Sequence, residues 1–319
     1  MNKWMLPEGV EDILPEQAIW LEEKRRKIID TFISSGYSLI ITPLIEFADS
    51  LLLDNSSDLD IQTFKVTDQY SGKQLGIRTD ITTQVIRSYI NNNEKNSIGK
   101  FCYFDHVLRT RNNNNQSRIP IQVGAELLGK SGIESDAEII ILMINILKSI
   151  TGKKIFIDLG HVGIYKYLIE KEDISKNEKN DIFNLIKAKS SAELKDYIQK
   201  TSVNDDLKNA LIALPKMHGN IENIENDTEI LFAFGDEVTN KINYLKSLSD
   251  LIIETHGDVT IKYDLCEFKG FDYENELVFS AFFEDSTDQF AVGGRYDGLI
   301  DKIQGVGFSF DIRRLLKSY

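Results

Sequence analysis

The chain predicts an α+β fold in which strands pair antiparallel and helices lie to the flanks. Three observations carry this. Residues 101–129 (FCYFDHVLRTRNNNNQSRIPIQVGAELLG) read as a strand, a polar loop with four consecutive asparagines, and a returning strand. Beyond residue 259 the chain again breaks into short strand-like runs. Between these regions, residues 170–250 turn charged and rich in Lys, Glu and Asn, with Pro215 as their one proline. That shift reads as a helical insertion at about 170–250 within a single domain spanning 1–319.

The elements follow in order. Residues 1–15 are turn-rich, with Pro7-Glu8-Gly9 and Pro15. Glu16 to Ser35 reads as a helix, with Ile19, Trp20, Ile28, Ile29 and Phe32 set against a charged face and Gly36 as the stop. Tyr37 to Leu44 reads as a strand, and Phe47 to Leu53 as a short helix. Gln62–Asp68 and Gln74–Thr79 flank Ser71-Gly72-Lys73, a hairpin signal. Ile81–Ile90 is helical with Asp80 as its N-cap. Ser135 and Asp136 are set to cap a helix that runs through Leu147 and ends near Gly152. Lys153–Leu159 alternates as a strand, and Gly163–Glu170 starts a helix. The closing strands are Val259–Cys266, Leu277–Phe283, Gln289–Val292 and Gly307–Phe310, and Ile312–Lys317 ends the chain as a short helix.

Composition narrows the function. The 319 residues are 42% apolar and 27% charged, ordinary for a soluble globular chain. The net charge of −13 argues against a surface that tracks phosphates, so nucleic acid is not an expected partner. Cys102 and Cys266 lie far apart in strand-like runs and read as buried apolar residues in a reducing compartment. No CxxC or HExxH spacing occurs, so no metal is expected. The N-terminus has acids and prolines where a signal peptide needs an apolar core, and the longest apolar run, Ile139–Ile144, is too short for a bilayer. A cytoplasmic protein without a membrane partner is expected.

Several clusters carry chemistry on either of two readings. Gln122 and Glu126 are an even number of positions apart and share one face of their strand, as a satisfied core pair or a ligand floor. Arg78-Thr79-Asp80 is a capped helix start with a surface arginine, or a strand-end carboxylate for an ammonium group. Gly293-Gly294-Arg295-Tyr296-Asp297-Gly298 is a tight turn before a helix, or a place where ligand meets backbone. Gly305-Val306-Gly307-Phe308 suits a strand whose partner approaches closely, with Arg313-Arg314 beyond it. Lys269-Gly270-Phe271-Asp272-Tyr273 is a polar turn taken alone. His161 reads as a satisfied structural histidine, and no nucleophile motif accompanies it.

Taken in order, these stretches resemble the catalytic core of histidyl-tRNA synthetases. They are Pro7 to Pro15, Ile77-Arg78-Thr79-Asp80-Ile81-Thr82, Gln122 to Glu126, Lys269 to Tyr273, Val292 to Leu299, and Gly307-Phe308 through Arg314. The resemblance spans nearly the whole chain and implies the class II aminoacyl-tRNA synthetase-like fold: an antiparallel sheet flanked by helices, with a helical insertion. Four departures stand against synthetase activity. The arginine and glutamate that engage ATP on the synthetase hairpin are matched here to Leu108 and Thr110, and leucine offers a phosphate no bidentate donor. Lys269 replaces an arginine, and Glu274 replaces a tyrosine. The chain stops five residues after Arg314, so no anticodon-binding domain is expected.

With these departures the chain is similar to the regulatory subunits of ATP phosphoribosyltransferase, which are synthetase paralogues. Val107-Leu108-Arg109-Thr110-Arg111 resembles that family's version of the hairpin strand. The resemblance implies a non-catalytic subunit at the first step of histidine biosynthesis. It pairs with a short-form ATP phosphoribosyltransferase catalytic subunit, takes L-histidine as effector, needs no cofactor and forms a homodimer within a hetero-oligomer. It also implies the histidine contacts: Asp80, Thr82 and Gln122 for the ammonium, Glu126 for the imidazole N–H, Arg314 or Lys269 for the carboxylate, and Tyr273 and Tyr296 as walls. Two other readings stay open at this point. One is a truncated synthetase-like enzyme that activates histidine, and the other is a scaffold that no longer binds it.

Overall fold

The computed structural model describes residues 4–51, 57–92, 97–111, 117–172, 174–267, 276–297 and 303–318. Two compact units divide the chain: residues 1–131, 142–152 and 297–319 form the first, and residues 132–141 and 153–296 the second.

The first unit opens with helix α1 (Pro15–Ser34), whose proline sits in the first turn, where its missing N–H costs nothing. Ile28 and Phe32 turn its apolar stripe inward, and Gly36 ends it at φ +84°, a backbone angle that favours glycine. Strand β1 is only Ser38–Leu39, and β2 is Ile45–Phe47. The expected strand from Tyr37 to Leu44 is thus cut short. The Thr42 carbonyl and hydroxyl are taken by Arg78 Nη1 at 2.8 and 3.1 Å, and Pro43 has no N–H for a ladder. Helices α2 (Ala48–Leu51) and α3 (Ser57–Gln62) follow. Strands β3 (Phe64–Thr67) and β4 (Gln74–Ile77) form the expected hairpin, with β2 on the other side of β4. Helix α4 (Thr82–Asn91) buries Val85, Ile86 and Tyr89.

The long hairpin comes next as β5 (Gly99–His106) and β6 (Ile121–Leu128), paired antiparallel from Gly99↔Leu128 to His106↔Ile121. All eight residues of β6 are buried. Helix α5 (Ile133–Thr151) gives its first turns to the second unit and its later ones to the first.

The second unit continues through β7 (Ile155–His161) and α6 (Val162–Glu170). The insertion is helical as expected: α7 (Lys176–Lys187), α8 (Ser191–Ile198) and α9 (Asp205–Ala213). Ser175 and Glu178 close a capping box at the start of α7. A short strand, β8 (His218–Asn220), and α10 (Ile224–Asp227) precede α11 (Asp236–Thr255), which buries Val238, Ile242, Leu245, Ser249 and Ile252 along one face. Strands β9 (Thr260–Asp264), β10 (Leu277–Phe283) and β11 (Ala291–Asp297) complete the unit in the order β11-β10-β7-β9-β8. The chain then returns to the first unit as β12 (Gln304–Asp311), which pairs with β6, and a closing 3₁₀ turn, Ile312–Ser318.

Four expectations change. The sheet is mixed: β1 runs parallel to β5, and β7 parallel to β9. The second pair is possible because the whole insertion serves as its crossover, and parallel neighbours need a long connection. The residues Gly293 to Asp297 lie in β11, not in a turn, because the ladder to β10 continues through Val278↔Gly294. Ser135 and Asp136 lie inside α5 rather than at its cap. Asp80 precedes the N-cap position of α4, which is Ile81, and its Oδ1 accepts from Gln122 Nε2 at 2.6 Å.

Candidate functional site

The first unit buries Asp80, Thr82, Tyr103, Gln122 and Glu126 where α4 begins against the long hairpin. Gln122 is the hinge of the group. Its Oε1 accepts the Ile81 backbone N–H at 3.0 Å and its Nε2 donates to Asp80 Oδ1 at 2.6 Å. Each end of the amide therefore has one partner, which fixes its orientation. Two residues along the same face of β6, Gly124 has no side chain. A Cβ there would collide with the Tyr103 phenol and the Phe308 carbonyl oxygen. Tyr103 lies over this gap, directly across the ladder from Gly124. Its hydroxyl donates to Glu126 Oε1 at 3.1 Å, and the Thr82 hydroxyl donates to the same oxygen at 2.8 Å. Strand β12 closes the other side, where Gly307 faces Glu126.

The electrostatics single out Asp80. It is 2% exposed, and its Oδ2 is buried with no hydrogen-bond partner. Burial raises its pKa, opposed by the Gln122 hydrogen bond and the charge of Arg109. A buried carboxylate with an unmet oxygen costs free energy unless a cation or donor completes it. Arg109 has the opposite deficit: its Nε is buried and unpartnered among the described residues. Its charge also acts on Asp311, which burial raises and whose Oδ1 accepts the Ile121 and Arg313 amides at 3.0 Å each. Burial and the neighbouring Glu126 charge raise the Tyr103 phenol well above its ordinary value, so it stays a donor at neutral pH.

The expected site residues fall out as follows. Asp80, Thr82, Gln122 and Glu126 come together. Tyr296 is buried on β11 in the second unit, and Arg314 lies in the closing turn of the first. Lys269 and Tyr273, with Glu274, lie outside the described residues. Tyr103, Arg109 and Gly124 were missed by sequence reasoning. Gly124 carries a legible signal, its even spacing from Gln122 and Glu126. Tyr103 and Arg109 carry none, because they meet the site through a register set across the hairpin loop.

Other motifs prove structural. Arg78 is buried, not a surface arginine: it donates to the Thr42 and His106 carbonyls and pairs with Asp105 Oδ2 at 2.8 Å. Arg295 is held by Asp136 and Ser135. His161 accepts the Gly163 N–H as the N-cap of α6, and burial with the Lys241 charge pushes its pKa down to about 3. Thr110 donates its hydroxyl to the Ile61 carbonyl at 2.6 Å.

A family model described as histidyl-tRNA synthetase matches residues 9–315. An ATP phosphoribosyltransferase regulatory subunit from Teredinibacter turnerae is 37% identical over 298 residues, covering 93% of this chain and 76% of that one. The chain belongs to the family of ATP phosphoribosyltransferase regulatory subunits. The class II synthetase-like fold of this family is also what its solved neighbours share. An ATP phosphoribosyltransferase regulatory subunit/histidyl-tRNA synthetase from Bacillus halodurans C superimposes with a TM-score of 0.86 at 22% identity, covering 100% of this chain and 83% of that one. A chain of the ATP phosphoribosyl transferase (HisG:HisZ) complex from Thermotoga maritima does so with a TM-score of 0.72 at 19% identity, covering 95% and 98%. At those identities the likeness is one of fold.

Proposed function

We propose that this chain is the regulatory subunit of an ATP phosphoribosyltransferase in histidine biosynthesis, and that its first unit binds free histidine. The observation that carries the binding site is Asp80: a fully buried carboxylate whose Oδ2 lacks a partner. An ammonium group supplies the donor and the charge that this oxygen lacks. The hydroxyl hydrogens of Thr82 and Tyr103 are spent on Glu126, so toward a ligand both oxygens act as acceptors. Glu126 takes the imidazole N–H. Arg109 offers the guanidinium for the carboxylate, with Arg314 of the same unit as a further candidate. Gln122, committed to Asp80 and Ile81, acts by holding Asp80 rather than by meeting the ammonium.

The reading as a sensor without its own catalysis is supported by the hairpin, where Leu108 offers phosphate no donor and the Thr110 hydroxyl is tied to Ile61. The partner is a short-form catalytic subunit in the cytoplasm, joined by a homodimer of this chain. Histidine bound here shifts the partner by the usual scale of allosteric coupling, about 1–3 kcal/mol. Two measurements test this. The chain should co-purify with a short phosphoribosyltransferase and raise its turnover. Calorimetry should then detect histidine binding to the wild type and not to Asp80→Ala or Glu126→Ala. Unchanged affinity in both variants would remove the site, and histidine-dependent ATP–pyrophosphate exchange at synthetase-like rates would replace the regulatory reading with an enzymatic one.

A further inference from the structure

Strand β12 passes Glu126 more closely than any side chain at position 307 would permit. In the ladder Gly307 is the direct partner of Glu126. A Cβ built on Gly307 would fall inside the Glu126 carboxylate, and would also stand 2.9 Å from the Ala125 carbonyl oxygen. Across the same carboxylate, Thr82 Oγ1 and Tyr103 Oη grip Oε1 at 2.8 and 3.1 Å. Tyr103 reaches that oxygen only because Gly124, its ladder partner, leaves the sheet face open. Two glycines on adjacent strands thus make room for one buried carboxylate and for the phenol that orients it. Glu126 is 1% exposed, and a charge so deeply placed keeps one geometry only while both sides hold.

We infer that Gly307 is a positioning residue for the ring end of the ligand pocket, and that Tyr103 is its counterpart on the hairpin. The missing Cβ of Gly307 sets how far the carboxylate lies toward β12, and the two hydroxyls fix its rotation. Together they determine which nitrogen of a bound imidazole is met as a donor. This inference rests on the histidine reading above and names the residues that give it selectivity.

The test is calorimetry with L-histidine on the full chain, with the melting temperature of each unliganded variant taken alongside. Gly307→Ala should weaken histidine at least tenfold. Combining it with Glu126→Asp, whose shorter side chain gives back space, should recover part of that loss, although Glu126→Asp alone weakens binding. A purely structural role for Gly307 predicts no such rescue. Tyr103→Phe should weaken histidine several-fold and reduce the preference for histidine over its ring-methylated forms, with the melting temperature little changed. Gly307→Ala binding like the wild type, or a double variant no better than Gly307→Ala, overturns the inference. Where Gly307→Ala does not fold, Tyr103→Phe decides: wild-type affinity and wild-type preference overturn it, and their loss supports it. A wild type that gives no heat with histidine sinks the ligand reading itself, an outcome distinct from all of these.

Discussion

Two buried aspartates, one in each unit, show how differently the fold treats the same group. Asp136 is fully buried, and both of its oxygens are met: Oδ1 by Arg295 Nε at 3.0 Å and by Arg295 Nη2, Oδ2 by the Tyr244 hydroxyl. Ser135 takes the remaining donor capacity of Arg295 Nη2 at 2.8 Å. Asp80 is 2% exposed and has one oxygen met by Gln122 and the other by nothing among the described residues. The first is a closed network, and closure of this kind rigidifies a core. The second is an open one, retained at a cost that a ligand can offset. Depth of burial does not separate these two aspartates; the unmet Asp80 oxygen does.

The sharpest way to break the contrast is Arg295→Ala. It strands the Asp136 charge in the interior and should cost about 3–5 kcal/mol in urea unfolding, the usual scale for removing one partner of a buried pair. A loss below about 1 kcal/mol would mean that Asp136 is not the closed case. Asp80→Asn is the reciprocal change. It should lower histidine affinity by about 1.5–3 kcal/mol, roughly ten- to a hundredfold, while the unliganded protein keeps or gains stability. Because burial raises the folded-state pKa of Asp80 above its unfolded value, the folded chain holds the extra proton. The cost of the charge therefore appears only as pH rises above about 4, and the gain from Asn should grow in that direction across a pH series of urea melts.

Asp158, on β7 of the second unit, extends the comparison at smaller amplitude. Burial first, and then the Asp264 charge, raise its pKa to about 6, with Lys262 and Lys189 opposing and Glu267 adding to the rise. Since the folded value lies above the unfolded 3.8, this group removes stability as pH rises from about 4 to 6. Asp158→Asn should flatten that part of the stability profile, and an unchanged slope would show that neighbouring charges absorb the effect. The mildest probe uses the two cysteines, one per unit. Burial pushes the Cys102 thiol up to about 12 and raises Cys266 as well. Both should resist alkylation in native buffer and label once denaturant opens their unit; rapid labelling of either one would contradict its burial.

The strand signals at 101–129 and after 259, the helical insertion and the two buried cysteines could be read in advance, because each is a local pattern of apolar and polar residues. The even spacing of Gln122 and Glu126 likewise announced a shared face. Misreadings arose where a residue was assigned a local partner and took a distant one. Asp80 was expected to cap its own helix, yet binds Gln122, 42 positions away. Asp136 was read as a helix cap, yet it lies within the first turn of α5 and takes Arg295, 159 positions away. Of the two readings of the GGRYD run, the tight turn gives way to a strand, because the ladder to β10 continues through Gly294.

By itself, the sequence determined the order and type of elements and the family, since periodicity and ordered motifs survive without coordinates. Only the tertiary structure decided that β5 and β6 pair Tyr103 with Gly124, that the Arg109 charge acts on Asp80 and Asp311, and that Gly307 presses against Glu126. The physical reason is register. A one-residue slip exchanges the two faces of a strand while leaving its composition unaltered. In the long hairpin the observed register sets Tyr103 opposite Gly124 and Phe101 opposite Glu126.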